Sequence, residues 1–214
     1  MAVSPYSFPS SQDKAQKKRP VDTLIFELIG VVALVYAAFF IFFELDLKKA
    51  IRYFETGQYE QAIDKFTAIA GITATDPAIY YRLALSHARL GKHDLAIPYY
   101  LQLLTIKKPT SPFIFSSKLP APSLVEIYDG LIFSYFELGQ YDQVIIFSQQ
   151  LLLMNPRDAQ AYKNLSLAYI KKASLSHSQA EFDKALEFIE KSAELSPSGM
   201  TEDDKKMRDY LKNQ

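Results

Sequence analysis

Apolar residues follow two patterns along this chain. From Leu24 to Phe43 they run almost unbroken, LIFELIGVVALVYAAFFIFF, with Glu27 the one charge in twenty residues. Beyond Glu44 they recur three and four residues apart, punctuated at regular distances by glycine and proline. The first pattern suits a helix whose surroundings are apolar on every side; the second suits helices that bury one face. As a helix, the first stretch would be roughly 30 Å long, the thickness of a bilayer core. A cleaved signal peptide has a shorter apolar core followed by small residues, whereas this one ends on Phe39, Phe40, Ile41, Phe42 and Phe43. A buried core helix is rarely apolar all round over five turns. Residues 22–43 therefore read as a single transmembrane helix, with Glu27 near enough to one end to snorkel to the headgroups. From Asp22 to Thr56 only Gly30 interrupts good helix formers, which predicts one continuous helix of about 35 residues. Its later part, with Leu47, Ala50, Ile51, Tyr53 and Phe54, would open the soluble domain.

The second pattern repeats. Gly57-Gln58-Tyr59-Glu60-Gln61-Ala62 returns as Gly91-Lys92-His93-Asp94-Leu95-Ala96 and as Gly139-Gln140-Tyr141-Asp142-Gln143-Val144. The first two glycines are 34 residues apart, and the next interval is 48, or one period plus an insert of 14. A fixed period in this range marks stacked helix-turn-helix units. Four can be laid over one another, at about 44–77, 78–110, 125–158 and 159–197, with the insert at 111–124. In the fourth, Tyr162, Leu165, Ser166 and Tyr169 form the first helix and Phe182, Ala185 and Ile189 the second. Pro156 to Pro197 is 41 residues, a surplus of seven that falls at Ser174 to Ala180 and is read as an extended turn.

The large-to-small alternation, the Gly-x-Tyr-x-x-Ala turn and the closing proline resemble the tetratricopeptide repeat family over about residues 44 to 197. The resemblance implies an all-α fold: a right-handed superhelix of paired helices, here continuous with the transmembrane helix. Small residues such as Ala62, Ala84 and Ala96 would let helices approach, and Tyr80 and Phe66 would fill the space between them. Val144 and Ser148 depart from the small and aromatic residues expected there, so the third unit should pack less regularly. Pro98 lies inside a helix, near its start, where a missing N–H costs little. Four prolines exclude a regular helix from Pro109 to Leu124. Phe113, Ile114 and Phe115 within that segment either pack on the flank of the array or form a contact loop for lipid or a partner. Residues 198–214 would cap the array, with Thr201 starting a helix whose Met207, Tyr210 and Leu211 form an apolar edge.

Residues 1–21 read as a flexible tail whose Lys14, Lys17, Lys18 and Arg19 flank the membrane span. Against Lys48, Lys49 and Arg52 on the far side, they favour a cytoplasmic tail. The expected location is a bacterial inner membrane with the repeats extracytoplasmic. Zero net charge gives no reason to expect nucleic acid, and with no cysteine there is no disulfide, thiolate or Cys-based metal site. His87, His93 and His177 are scattered, and neither a phosphate loop nor a nucleophile elbow appears. The reading is a non-enzyme without cofactor or metal. Asn164-Leu165-Ser166 is a sequon in form but falls inside a helix.

What remains is a binding surface. In this family the first helix of each unit lines the concave groove, and members that hold a chaperone's C-terminal carboxylate use Lys, Asn and Arg there. The matching positions here are Leu47 and Ile51, Tyr81 and Leu85, Asp129 and Phe133, Lys163 and Leu167, with Phe54, Ala88, Phe136 and Ile170 one turn on. Only Lys163 is basic, so that clamp is absent. The resemblance thus implies an apolar groove built on Ile51, Phe54, Tyr81, Leu85, Phe133, Phe136, Lys163, Leu167 and Ile170. It would take an apolar or amphipathic segment of another protein, or be filled by this chain's own Phe113 loop or last helix. The function this suggests is a membrane-anchored adaptor that helps assemble a membrane-associated complex. A chaperone-like holder of newly exported segments, or an outer-membrane import receptor of opposite orientation, is the alternative.

Overall fold

The computed structural model describes residues 21–73, 76–106, 117, 119–196 and 199–213. Among these the regular structure is entirely helical: α1 (Val21–Glu55), α2 (Tyr59–Thr73), α3 (Pro77–Arg89), α4 (His93–Thr105), α5 (Leu124–Glu137), α6 (Tyr141–Met154), α7 (Ala159–Ser176), α8 (Gln179–Leu195) and α9 (Glu202–Lys212). The chain divides into two compact parts between Phe42 and Phe43. In the first, every side chain from Val21 to Phe39 is exposed, and the helix is long and apolar enough to cross a membrane.

The second part is a stack of antiparallel helix pairs. The C-terminal portion of α1 pairs with α2, burying Phe43, Leu47 and Ala50 with Ala62, Phe66 and Ile69 in one cluster. Asp46 and Lys65 close the edge of that pair at 2.9 Å. A second cluster runs through α3 to α7 and holds Tyr100, Leu131, Val144 and Leu165. A third joins α8 to α9 through Phe182, Ala185, Ile189 and Leu211. No pair can bury its apolar face alone, so each shares a core with the next.

The recurring glycines have one backbone reason. Gly57, Gly91 and Gly139 adopt φ of +76°, +71° and +71°, the left-handed conformation that ends each first helix and turns the chain into the second. In the fourth pair His177 takes that place at φ +53°.

Here the structure corrects the sequence reading. The surplus of seven residues does not extend the turn, which is as tight as the others. Instead α7 has 18 residues against 14 in α5, and α8 has 17 against 14 in α6. The extra four and three residues are each close to one helical turn, so the hairpin grows longer while its helices keep their register. Its tip is tied by Lys172, which pairs with Asp142 of α6 and stands 3.6 Å from Glu181. Pro98 also sits deeper than expected. It is the sixth residue of α4, past the first turn, so it forfeits a helical hydrogen bond, on an exposed face.

The third pair packs around its departures. Val144 and Ser148 are fully buried, and the ring missing at Ser148 is supplied one residue earlier by Phe147, stacked on Tyr135 at 5.6 Å. The hydroxyls of Ser134 and Ser148 are buried without a partner.

Of the insert, Phe113, Ile114 and Phe115 lie outside the described residues. Its end is anchored: the Ser117 N–H donates to Asp76 Oδ2 at 2.7 Å, while Asp76 Oδ1 accepts from Ala78 N at the start of α3. Leu119 packs on the first cluster. Ser123 then opens α5 with a reciprocal capping box to Glu126. Thr201 opens α9 in the same way with Asp204, as its sequence predicts.

Candidate functional site

The first helices of successive pairs (the end of α1, then α3, α5 and α7) line one side of the stack, and three adjoining hollows follow them. The first, about 290 Å³, lies among Ile51, Phe54, Tyr81 and Leu85, with Pro120, Ala121 and Pro122 as one wall. The second, about 560 Å³, shares Tyr81, Leu85 and Glu126 and adds Ala88, Arg89, Asp129 and Phe133. The third, about 420 Å³, shares Asp129 and Phe133 and reaches Phe136, Glu137, Asn164 and Leu167 between α5 and α7. Because neighbouring hollows share walls, they form one groove.

The sequence-derived positions fall along this groove in three ways. Ile51, Phe54, Tyr81 and Leu85 are half-buried at its first end, where the residues just before α5 already cover part of the surface. Phe133, Phe136 and Leu167 form its open middle. Phe133 is 54% exposed, and its ring meets His93 edge-on at 5.3 Å, while Phe136 meets Tyr141 the same way at 5.6 Å. Lys163 and Ile170 are engaged by α9: Lys163 Nζ stands 2.7 Å from Asp204 Oδ1, and Ile170 packs on the cluster that contains Leu211. Leu47, aligned with groove positions, is instead 4% exposed within the first cluster. At the far end, then, the chain fills its own groove; in the middle none of the described residues does.

The groove is also less purely apolar than its aligned positions suggest. Glu126 and Glu137 line it beside Asp129, as do Gln160 and Asn164. The two glutamates stand three residues before and eight after Asp129, which is the spacing of one helical face. Reading α5 as a stripe would have found them; matching positions repeat by repeat did not. Burial pushes the Asp129 carboxyl above its usual range, and the negative charges of Asp158 and Glu126 add to the effect. Glu126 is held low by its hydrogen bonds from the Ser123 backbone and side chain.

The histidines are placed for packing. His87 stacks on Tyr99 at 5.5 Å, and burial together with the Lys92 charge pushes its pKa down. His177 is the turn residue already described. Among the described residues no three His, Asp or Glu side chains converge as metal ligands.

Two family models described as tetratricopeptide repeat match the chain, at residues 47–112 and 159–198. Neither covers α5 and α6, the pair that carries Val144 and Ser148. No curated protein matches the sequence. Among solved structures, a MamA fragment (41-end) from Desulfovibrio magneticus RS-1 is similar at 18% identity, covering 80% of this chain and 84% of that one, with a TM-score of 0.62. An RS-1 MamA double mutant gives 18% identity, 80% and 83% coverage and a TM-score of 0.63. MamA AMB-1 gives 16%, 81% and 82%, and 0.60. At such identities the likeness is one of fold, and the fold is the repeat stack built above. This chain is a tetratricopeptide-repeat protein, a helical scaffold for protein–protein contact.

Proposed function

We propose that this chain is a membrane-anchored adaptor. The apolar part of α1 would hold it in the bilayer, and the open middle of the groove would receive a segment of another protein during assembly of a membrane-associated complex. The observation that carries this reading is Phe133. A large aromatic left 54% exposed, in a groove whose end is sealed by α9, is surface kept free for contact. Tyr81, Leu85, Phe136 and Leu167 would extend the contact. In this reading Lys163 and Ile170 serve end closure, and Ile51 and Phe54 the edge of the site. The basic tail (Lys14, Lys17, Lys18, Arg19) supports a cytoplasmic N-terminus with the repeats on the outer side, in a bacterial inner membrane.

Because Phe133 is exposed, Phe133→Glu should leave the fold intact and abolish co-purification of the partner after cross-linking in native membranes. Retention of the same partner by the folded variant would refute the groove as its site. A single stoichiometric partner supports the adaptor, whereas equal capture of many unrelated segments points to a chaperone-like holder. Protease protection of the repeats in intact cells tests the orientation; digestion only after the inner membrane is opened would reverse it.

A further inference from the structure

The groove also specifies the charge of its occupant, an inference that rests on the groove reading above. Glu126, Asp129, Phe133, Phe136 and Glu137 form one stripe of α5, and both hollows flanking α5 open onto it. The stripe alternates acid, aromatic and acid, and Asp129 and Glu137 are separated by about 12 Å of helix. Among the described residues lining the hollow on the α7 side there is no Lys, Arg or His; the hollow on the α3 side has Arg89 alone. Asp46 has Lys65 as a counter-charge and Asp204 has Lys163. Asp129 instead has further acids near it, Asp158 and Glu126, whose charges add to the effect of burial on its carboxyl.

We propose that the groove binds a cationic amphipathic segment of a partner protein. Apolar side chains of that segment would cover Phe133 and Phe136, and Lys or Arg on either side would pair with Asp129 and Glu137. An uncharged occupant would desolvate both carboxylates without compensation, and an acidic one would add like-charge repulsion. Only a basic flank turns the acids from an obstacle into a register mark.

The test uses the full chain in phosphatidylcholine nanodiscs, with empty nanodiscs subtracting attachment to lipid. Three labelled peptides of equal length share the same Leu positions and carry Lys, Gln or Glu at the others. The Lys peptide should bind about tenfold or more tighter than the Gln peptide, with the Glu peptide weakest, and D129N/E137Q should remove most of that advantage. Gln or Glu peptides binding as tightly as the Lys peptide would overturn the inference. So would an unchanged Lys-peptide affinity in D129N/E137Q. Phe133→Ser separates the two levels. If it weakens all three peptides while D129N/E137Q changes nothing, the groove stands and the charge preference falls. If it weakens none, the groove reading itself falls.

Discussion

Two places in the stack bring helices together by opposite means. Where α4 meets α5, Tyr100 is 1% exposed and lies against Gly130, where a Cβ would come within 2.4 Å of the Tyr100 ring. In the last hairpin the close approach is polar. Ser166 Oγ of α7 donates to the Ala185 carbonyl of α8 at 2.8 Å, Ser192 Oγ of α8 donates to the Ala159 carbonyl at 2.8 Å, and Lys163 reaches Asp204 of α9. The first contact depends on a missing volume and the second on directed hydrogen bonds. A joint built on volume should fail steeply when overfilled, while a joint built on several bonds should weaken in steps.

The sharpest way to break that contrast is Gly130→Ala. With Tyr100 fully buried and Tyr81 against its ring at 6.1 Å, the new methyl has no room. The expected cost is about 3 kcal/mol in urea unfolding, partly recovered in Gly130→Ala/Tyr100→Leu. At the other joint, Leu211→Ala removes the apolar anchor of α9 and should cost about 2 kcal/mol, read as earlier exchange of α9 amides. Ser166→Ala should cost about 1 kcal/mol, the net worth of one buried hydrogen bond. A cost equal to that of Gly130→Ala would erase the distinction between the joints.

The polar end should also carry a pH signature. Burial pushes the Asp204 carboxyl up, but hydrogen bonds from Lys163 and Thr201 outweigh it and hold the folded value below the usual one. A depressed folded pKa contributes stability above the unfolded value, near 3.9, and loses it as pH falls through the folded value. The stability gap between wild type and Asp204→Asn should therefore close on acidification below about pH 4. The smallest effect is at the last hairpin's turn. His177 bears a left-handed conformation that glycine adopts freely, so His177→Gly should stabilise by about 0.5 kcal/mol in thermal unfolding.

The same two regions show what could be read from residues alone. The glycine turns were legible because positive φ demands a residue type and recurs at a period. The surplus at Ser174 to Ala180 misled because serine and histidine look like turn residues. Yet the stretch contains neither proline nor glycine, and its length divides into about two helical turns, one for each helix. The insert before α5 has three prolines, and it stays out of regular structure where it is described. In the groove, Phe133 and Phe136 were legible from repeat alignment. The engagement of Lys163 by Asp204 was not, because it depends on where α9 folds back.

That fold-back covers the last hairpin. α9 takes the place the first helix of a fifth pair would occupy, and turns Lys205, Lys206, Asp209 and Lys212 outward. An uncovered last hairpin would offer an apolar edge onto which another copy could dock end to end, and repetition of that docking would produce an open fibre. With α9 in its place, that apolar edge is covered by the chain itself and a charged face is presented instead.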